Sequence, residues 1–274
     1  MTYIVVVDAD CLKYLENADE REVIRHSLNA AGFVIQPTLI NLVEVVKNEN
    51  TTVVKRSYHT IERLAIGTGL LSLPQQILRE TGSALLAGAP HYVPERINPA
   101  VALDGDGHIS VEFQDAARQY ADPWNASRTA HFAKYRTEIR RQVKQKGIRI
   151  SDGADFLDRL WRHSDGLKDY AQIAWQELHI GDYPGLETVW SIRAWRLFLE
   201  AEGHAVYERL ILEKQAPQTA GFVDLSQLLY LAAGRQGILV TNDKGLLRAG
   251  KAILHRRYPG FVAWNWNEFK ASAI

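Results

Sequence analysis

Near the start of the chain, Tyr3 to Val7 run apolar without interruption and stop at Asp8; Ile4, Val5, Val6 and Val7 are all β-branched. A strand with one wet face alternates apolar and polar residues. A strand without alternation is buried on both sides, which in a soluble fold means an inner strand of a parallel sheet with helices above and below. The fold class expected is therefore α/β, and the chain must be long enough to cover both faces. Its 274 residues are ample, since a chain of that size buries about 75% of the surface its unfolded form exposes.

The same pattern recurs twice. Residues 11–31 read as helix closed by Gly32, 33–35 as a second strand, and 38–48 as an almost wholly apolar helix opened by Pro37. A helix over 55–67, a short strand within 67–73 and a helix from Pro74 to about Thr81 follow. At the far end, 223–234 reads as helix, 237–241 as strand and 261–264 as a last strand. Strands alternating with helices specify a parallel sheet. Between these parts, 88–110 is rich in Gly, Pro and His, with an Asp104-Gly-Asp-Gly107 turn suited to closing a hairpin. Residues 112–215 show only helical periods, roughly 112–121, 126–146, 154–164, 167–179, 186–201 and 204–214. The organisation expected is an α/β domain in two parts, 1–87 and 221–274, with a mainly helical insertion over 88–220. Trp161, Trp175, Trp190 and Trp195 fall in the insertion, where core packing explains them more simply than base stacking.

Lone Cys11 excludes an internal disulfide, so a secreted disulfide scaffold is ruled out and a reducing, cytoplasmic setting is expected. No basic segment and long apolar stretch of a secretory leader is read at the N-terminus, and no run approaches the roughly 20 apolar residues of a membrane span. Lys and Arg total 32, as do Asp and Glu, so net charge says nothing about partners. Its distribution says more: Arg128 to Arg149 holds eight basic residues against Glu138 alone. Within it Arg136, Arg140 and Lys144 recur every four residues, with Arg141 beside them, and would form one positive ridge. A ridge of that kind grips a phosphate backbone without reading sequence; a solvated helix face, or a contact with a partner's acids, explains it equally well.

Individual acids carry weak signals. Asp8 and Asp10 follow the first strand, Asp243 ends Ile-Leu-Val-Thr241-Asn242-Asp243, and each alone reads as a turn residue or helix cap. Asp224 with Gln227 three residues later resembles a capping box. Asn41 and Glu44 share one face of an apolar helix, so their stripe faces a polar site or water. Together the acids say more. Sites in open parallel sheets lie beyond the carboxyl ends of strands, where strand order reverses. Adjacent strands are about 4.8 Å apart, and carboxylates crowded at that spacing call for a cation or shared protons. An all-oxygen set prefers Mg²⁺ or Mn²⁺ to Zn²⁺.

Val-Val-Val-Asp8-Ala-Asp10, Pro37-Thr-Leu-Ile-Asn-Leu-Val-Glu44, Asp224 opening a helix, and Ile-Leu-Val-Thr241-Asn242-Asp243-Lys244 together, in this order, resemble the PIN domain nucleases. The resemblance covers residues 1–87 and 221–274. It implies a parallel sheet flanked by helices and an acidic pocket of Asp8, Glu44, Asp224 and Asp243 binding Mg²⁺ or Mn²⁺. It implies too a metal-dependent endoribonuclease cutting single-stranded RNA, or in some branches DNA, by in-line attack of activated water. Asp10, Asn41, Thr241 and Asn242 are then auxiliary, and Arg136, Arg140, Arg141 and Lys144 candidates for holding nucleic acid. About 130 residues separate the helix after Pro74 from Asp224, where the family has a much shorter link, so the insertion inherits no role. A protein inhibitor or partner bound through it, and self-association, stay open; no membrane partner is expected.

Two rivals stand beside this reading. Asp8-Ala-Asp10 after a buried strand also opens the haloacid-dehalogenase phosphatase motif, with Asp8 as nucleophile and Asp10 as general acid, but no convincing later Lys and acid-pair motif follows Val-Thr-Asn. The other rival is a PIN-like module that binds protein or RNA without cutting. Walker A, His-Glu-x-x-His, Gly-x-Ser-x-Gly and paired-Cys patterns are all missing.

Overall fold

In the computed structural model, residues 3–89, 93–120, 126, 130, 137–145, 150–212 and 221–273 are described. The apolar run forms β1 (Tyr3–Val7), which pairs in parallel with β2 (Phe33–Ile35) on one side and with β5 (Gly237–Val240) on the other; β5 pairs in parallel with β6 (Phe261–Trp264). The sheet order is β2-β1-β5-β6. Chain progression reverses between β1 and β5, which makes the crevice beyond Val7 and Val240 the switch point of the sheet.

The unbroken run in β1 has the expected cause. Val5 and Val7 point into one hydrophobic cluster with Ile238 and Val240 of β5, while Ile4 and Val6 point into another with Leu239. The first face is covered by α1 (Ala18–Ala30), α2 (Leu39–Val46), α3 (Thr51–Ala65) and Trp266 and Phe269 of α12 (Trp266–Ala273). On the second face lie α11 (Lys244–Arg257), the 3₁₀ segment Gln227–Ala233 and the long helix α9 (Arg193–Val206). Contact there is close: a Cβ on Gly250 of α11 would stand 2.6 Å from the Cβ of Ala263 in β6. The architecture is mixed α/β, three layers deep around a four-stranded parallel sheet.

The remaining short strand differs from expectation. β3 (Leu70–Leu71) pairs antiparallel with β4 (Arg96–Ile97), and it meets the main sheet through one parallel bridge from Leu71 to Thr38. Leu71 N–H reaches the Pro37 carbonyl at 3.1 Å. Pro37 has no N–H to offer on the side that faces β3, and the contact there stays a single bridge. The Asp104–Gly107 turn closes as expected: Asp104 accepts the amides of Asp106 and His108, and Leu103 bridges Ile109.

Between α4 (Pro74–Leu86) and the return to the sheet come α5 (Val111–Gln119), α6 (Gly153–Arg159), α7 (Asp165–Glu177), α8 (Leu186–Ser191) and α9, with residues 137–145 also helical. Trp161, Trp175, Trp190 and Trp195 are all buried. Their role is packing, and three spend their indole N–H on a backbone carbonyl: Trp161 on Leu199, Trp175 on Gly181 and Trp195 on Leu78. These residues belong to the same cluster as Ile4, Val6 and Leu239. Ion pairs fasten the two segments further, with buried Glu200 of α9 held by Arg257 and Tyr258. A helix expected over 204–214 runs instead as the end of α9 and a π turn, Tyr207–Ile211. Among the described residues no helix is long and apolar enough to cross a membrane.

Candidate acidic site at the switch point

β1 ends where Asp8 N–H takes the Val240 carbonyl at 2.8 Å, continuing the ladder one step past the strand. Asp8 is thereby fixed in the crevice between β1 and β5, and it is buried, with 5% exposure. Three donors hold its carboxylate. Ala9 N–H lies 2.8 Å from Oδ1, Gln227 Nε2 also donates to Oδ1, and Thr241 Oγ1 donates to Oδ2 at 2.7 Å. Burial above all, then the Asp10 carboxylate and more weakly Asp224, raise the Asp8 carboxyl to about 7 against the opposing bonds from Gln227 and Thr241.

Glu44 reaches the same region from α2. Burial first, then Asp8, Asp224 and Asp10, hold it well above the usual carboxylate range, with Lys47 acting in the other direction. Its Oε2 has neither solvent access nor a hydrogen-bond partner. Asp10 lies exposed in the first turn of the 3₁₀ segment Ala9–Leu15. Asp224 sits at the third position of α10 (Phe222–Ser226), where Oδ2 accepts Gly221 N–H at 2.7 Å. It serves Gly221 and is not itself the cap that pairs with Gln227. Cys11, next to Asp10, is buried, and burial followed by the Asp10 charge pushes its thiol upward.

Asp8 and Glu44 thus both feel the charge of Asp10 and Asp224, and Glu44 that of Asp8 as well. Asp243 is placed otherwise: it is exposed, caps α11 through a 2.6 Å bond from Leu246 N–H, and is absent from the charges that chiefly perturb Asp8 and Glu44. Thr241 links the two, donating to Asp8 while accepting Asp243 N–H at 3.0 Å. Asn242 turns to α12 and accepts Trp266 N–H at 3.1 Å. Asn41 is spent internally, donating to the Val7 carbonyl at 2.9 Å and accepting from Thr38 N–H and Oγ1 at 3.0 Å each. It anchors α2 to the end of β1 and thereby sets where Glu44 stands.

In the basic segment, Arg136 lies outside the described residues. Arg140 donates from Nε to the Leu210 carbonyl at 3.3 Å, Arg141 pairs with Glu138 on its own helix at 2.8 Å, and Lys144 is exposed. The residue that sequence reasoning missed is Gln227. Its position three after Asp224 was legible, but it reads as a capping partner, and only the fold turns it towards Asp8.

Among the described residues no three His, Cys, Asp or Glu side chains form a group placed to hold a metal ion. What suits a hard divalent cation is the donor chemistry: oxygen ligands only, mutually repelling charge, and an orphaned buried oxygen on Glu44. Compared with protein-family models, curated proteins and solved structures, the chain finds no match in any of the three.

Proposed function

We propose that this chain is a metal-dependent nuclease of PIN type, an endoribonuclease acting on single-stranded RNA or on DNA, with its cation site at the sheet switch point. The observation that carries the reading is a group of acids in which Asp8 and Glu44 are both raised, by burial first and then by neighbouring carboxylates including Asp10 and Asp224, with a buried, unpartnered oxygen on Glu44. Such a cluster is costly unless protons or a cation neutralise it. Asp8, Glu44 and Asp224, with Asp10 at the rim, would hold Mg²⁺ or Mn²⁺, their carboxylates drawn together on binding. The bound ion would supply charge neutralisation at a phosphodiester and acidify water, which hydrolysis of that bond requires. Asp8 is oriented for this by its three donors, and Thr241 ties it to the backbone of Asp243. Asp243 is exposed and caps α11. Arg136, Arg140, Arg141 and Lys144 are the candidates for backbone contact in the basic segment.

A non-catalytic PIN-like module is the second reading, favoured by the acids not being assembled as a ligand set. One assay separates them: cleavage of end-labelled single-stranded RNA and DNA with Mg²⁺, Mn²⁺ or EDTA, alongside Asp8→Asn, Glu44→Gln and Asp243→Asn. The nuclease reading expects metal-dependent cutting, lost by at least a hundredfold in the first two variants and reduced far less in the third. Folded protein that binds RNA and never cuts it would support the module instead.

A further inference from the structure

Gln227 is fully buried in the 3₁₀ segment Gln227–Ala233, between Leu225 and Leu228, which are both core residues. Its Nε2 donates to Asp8, while its Oε1 has no partner and no solvent access. A buried amide oxygen left unpaired is destabilising, and a Leu or Met there would pack without that penalty. The amide is therefore not explained by packing. A carboxylate offers about four acceptor positions, two on each oxygen. On Asp8, Ala9 N–H and Gln227 fill both positions of Oδ1, and Thr241 fills one of Oδ2. A single acceptor position remains, on Oδ2.

We propose that Gln227 is a positioning residue for Asp8: by saturating Oδ1 it leaves Oδ2 as the one point of attachment for a divalent cation, so that Asp8 binds through one oxygen. This rests on the cation reading above and adds to it a residue outside the acids. Groups that orient ligating carboxylates typically alter metal affinity by about 10–100-fold when removed.

The test is Mn²⁺ binding to the full chain without substrate, read from the free-ion signal by electron paramagnetic resonance. It would be run on wild type, Gln227→Met, Gln227→Asn and Leu229→Ala. Met keeps the volume and removes the donor; Asn keeps a buried amide but falls one methylene short of Asp8, and serves if the Met variant does not fold. Leu229→Ala perturbs the same buried segment and removes no donor to Asp8. The proposal expects both Gln227 variants to weaken Mn²⁺ binding by about 10–100-fold and Leu229→Ala to retain wild-type affinity. Wild-type affinity in folded Gln227 variants, or an equal loss in Leu229→Ala, would overturn the positioning role alone. Wild type that binds no Mn²⁺ would overturn the cation reading and this proposal with it.

Discussion

Asp8 owes its raised pKa to the place where β1 stops, at the floor of a crevice with other acids around it. The unfolded chain releases this proton near the ordinary 3.8 and the folded chain near 7. Between those values the native state holds a proton that the unfolded state has lost. The stability this group contributes is complete below about pH 4 and fades as pH rises through 7; the span corresponds to a ceiling of about 4 kcal/mol. Asp8→Asn, measured in EDTA by thermal unfolding, is expected to melt above wild type at pH 8 and to lose that advantage at pH 4. An equal difference at both values would mean that Asp8 is not the titrating group. At this scale the sequence was partly readable. Asp8, Asp10, Glu44 and Asp224 stand out because each follows or interrupts apolar sequence, and in the fold Asp8 and Glu44 both feel the charge of Asp10 and Asp224. Gln227 could not be found that way, because a side chain's target 219 residues distant is a property of the fold, and local spacing offered a nearer partner.

Elements were legible where a single period ruled them. The two long strand-forming runs and α2 follow from hydrophobic pattern and caps. Short elements whose form is set by distant contacts were not. The stretches Ala9–Leu15 and Gln227–Ala233 are 3₁₀ where an α-helix is the natural expectation, and Tyr207–Ile211 is a π turn. In the first two, one end is fastened to the sheet crevice, so tertiary bonds override the local preference. Asn41 illustrates an element held by one side chain, since it joins the first turn of α2 to the last carbonyl of β1. Asn41→Leu would leave the Val7 carbonyl and Thr38 N–H without this partner, at about 1–3 kcal/mol for each buried group. A denaturant titration should show the midpoint falling with an unchanged slope; a neutral result would mean that α2 is held by its apolar face alone.

For the molecule as a whole, the helical segment is continuous with the sheet's core. Trp195, Phe198 and Leu199 lie in one cluster with Ile4, Val6 and Leu239. A chain lacking 112–215, its ends joined by a short linker, is expected to expose that face and bind a hydrophobic dye without a cooperative melt. A sharp two-state transition in such a chain would make the α/β part self-sufficient. Sequence period alone could not reveal this sharing, because it reports which faces are apolar and not what they meet. Lone, buried Cys11 beneath the acids has another use. Its thiol is shielded in the folded protein, so a disulfide reagent can react only when that floor opens. Labelling at rising reagent concentration should reach a plateau rate, and that plateau is a clock for spontaneous opening, read with the atoms the chain already carries. Prompt labelling of one thiol per native chain would show that the floor breathes without global unfolding.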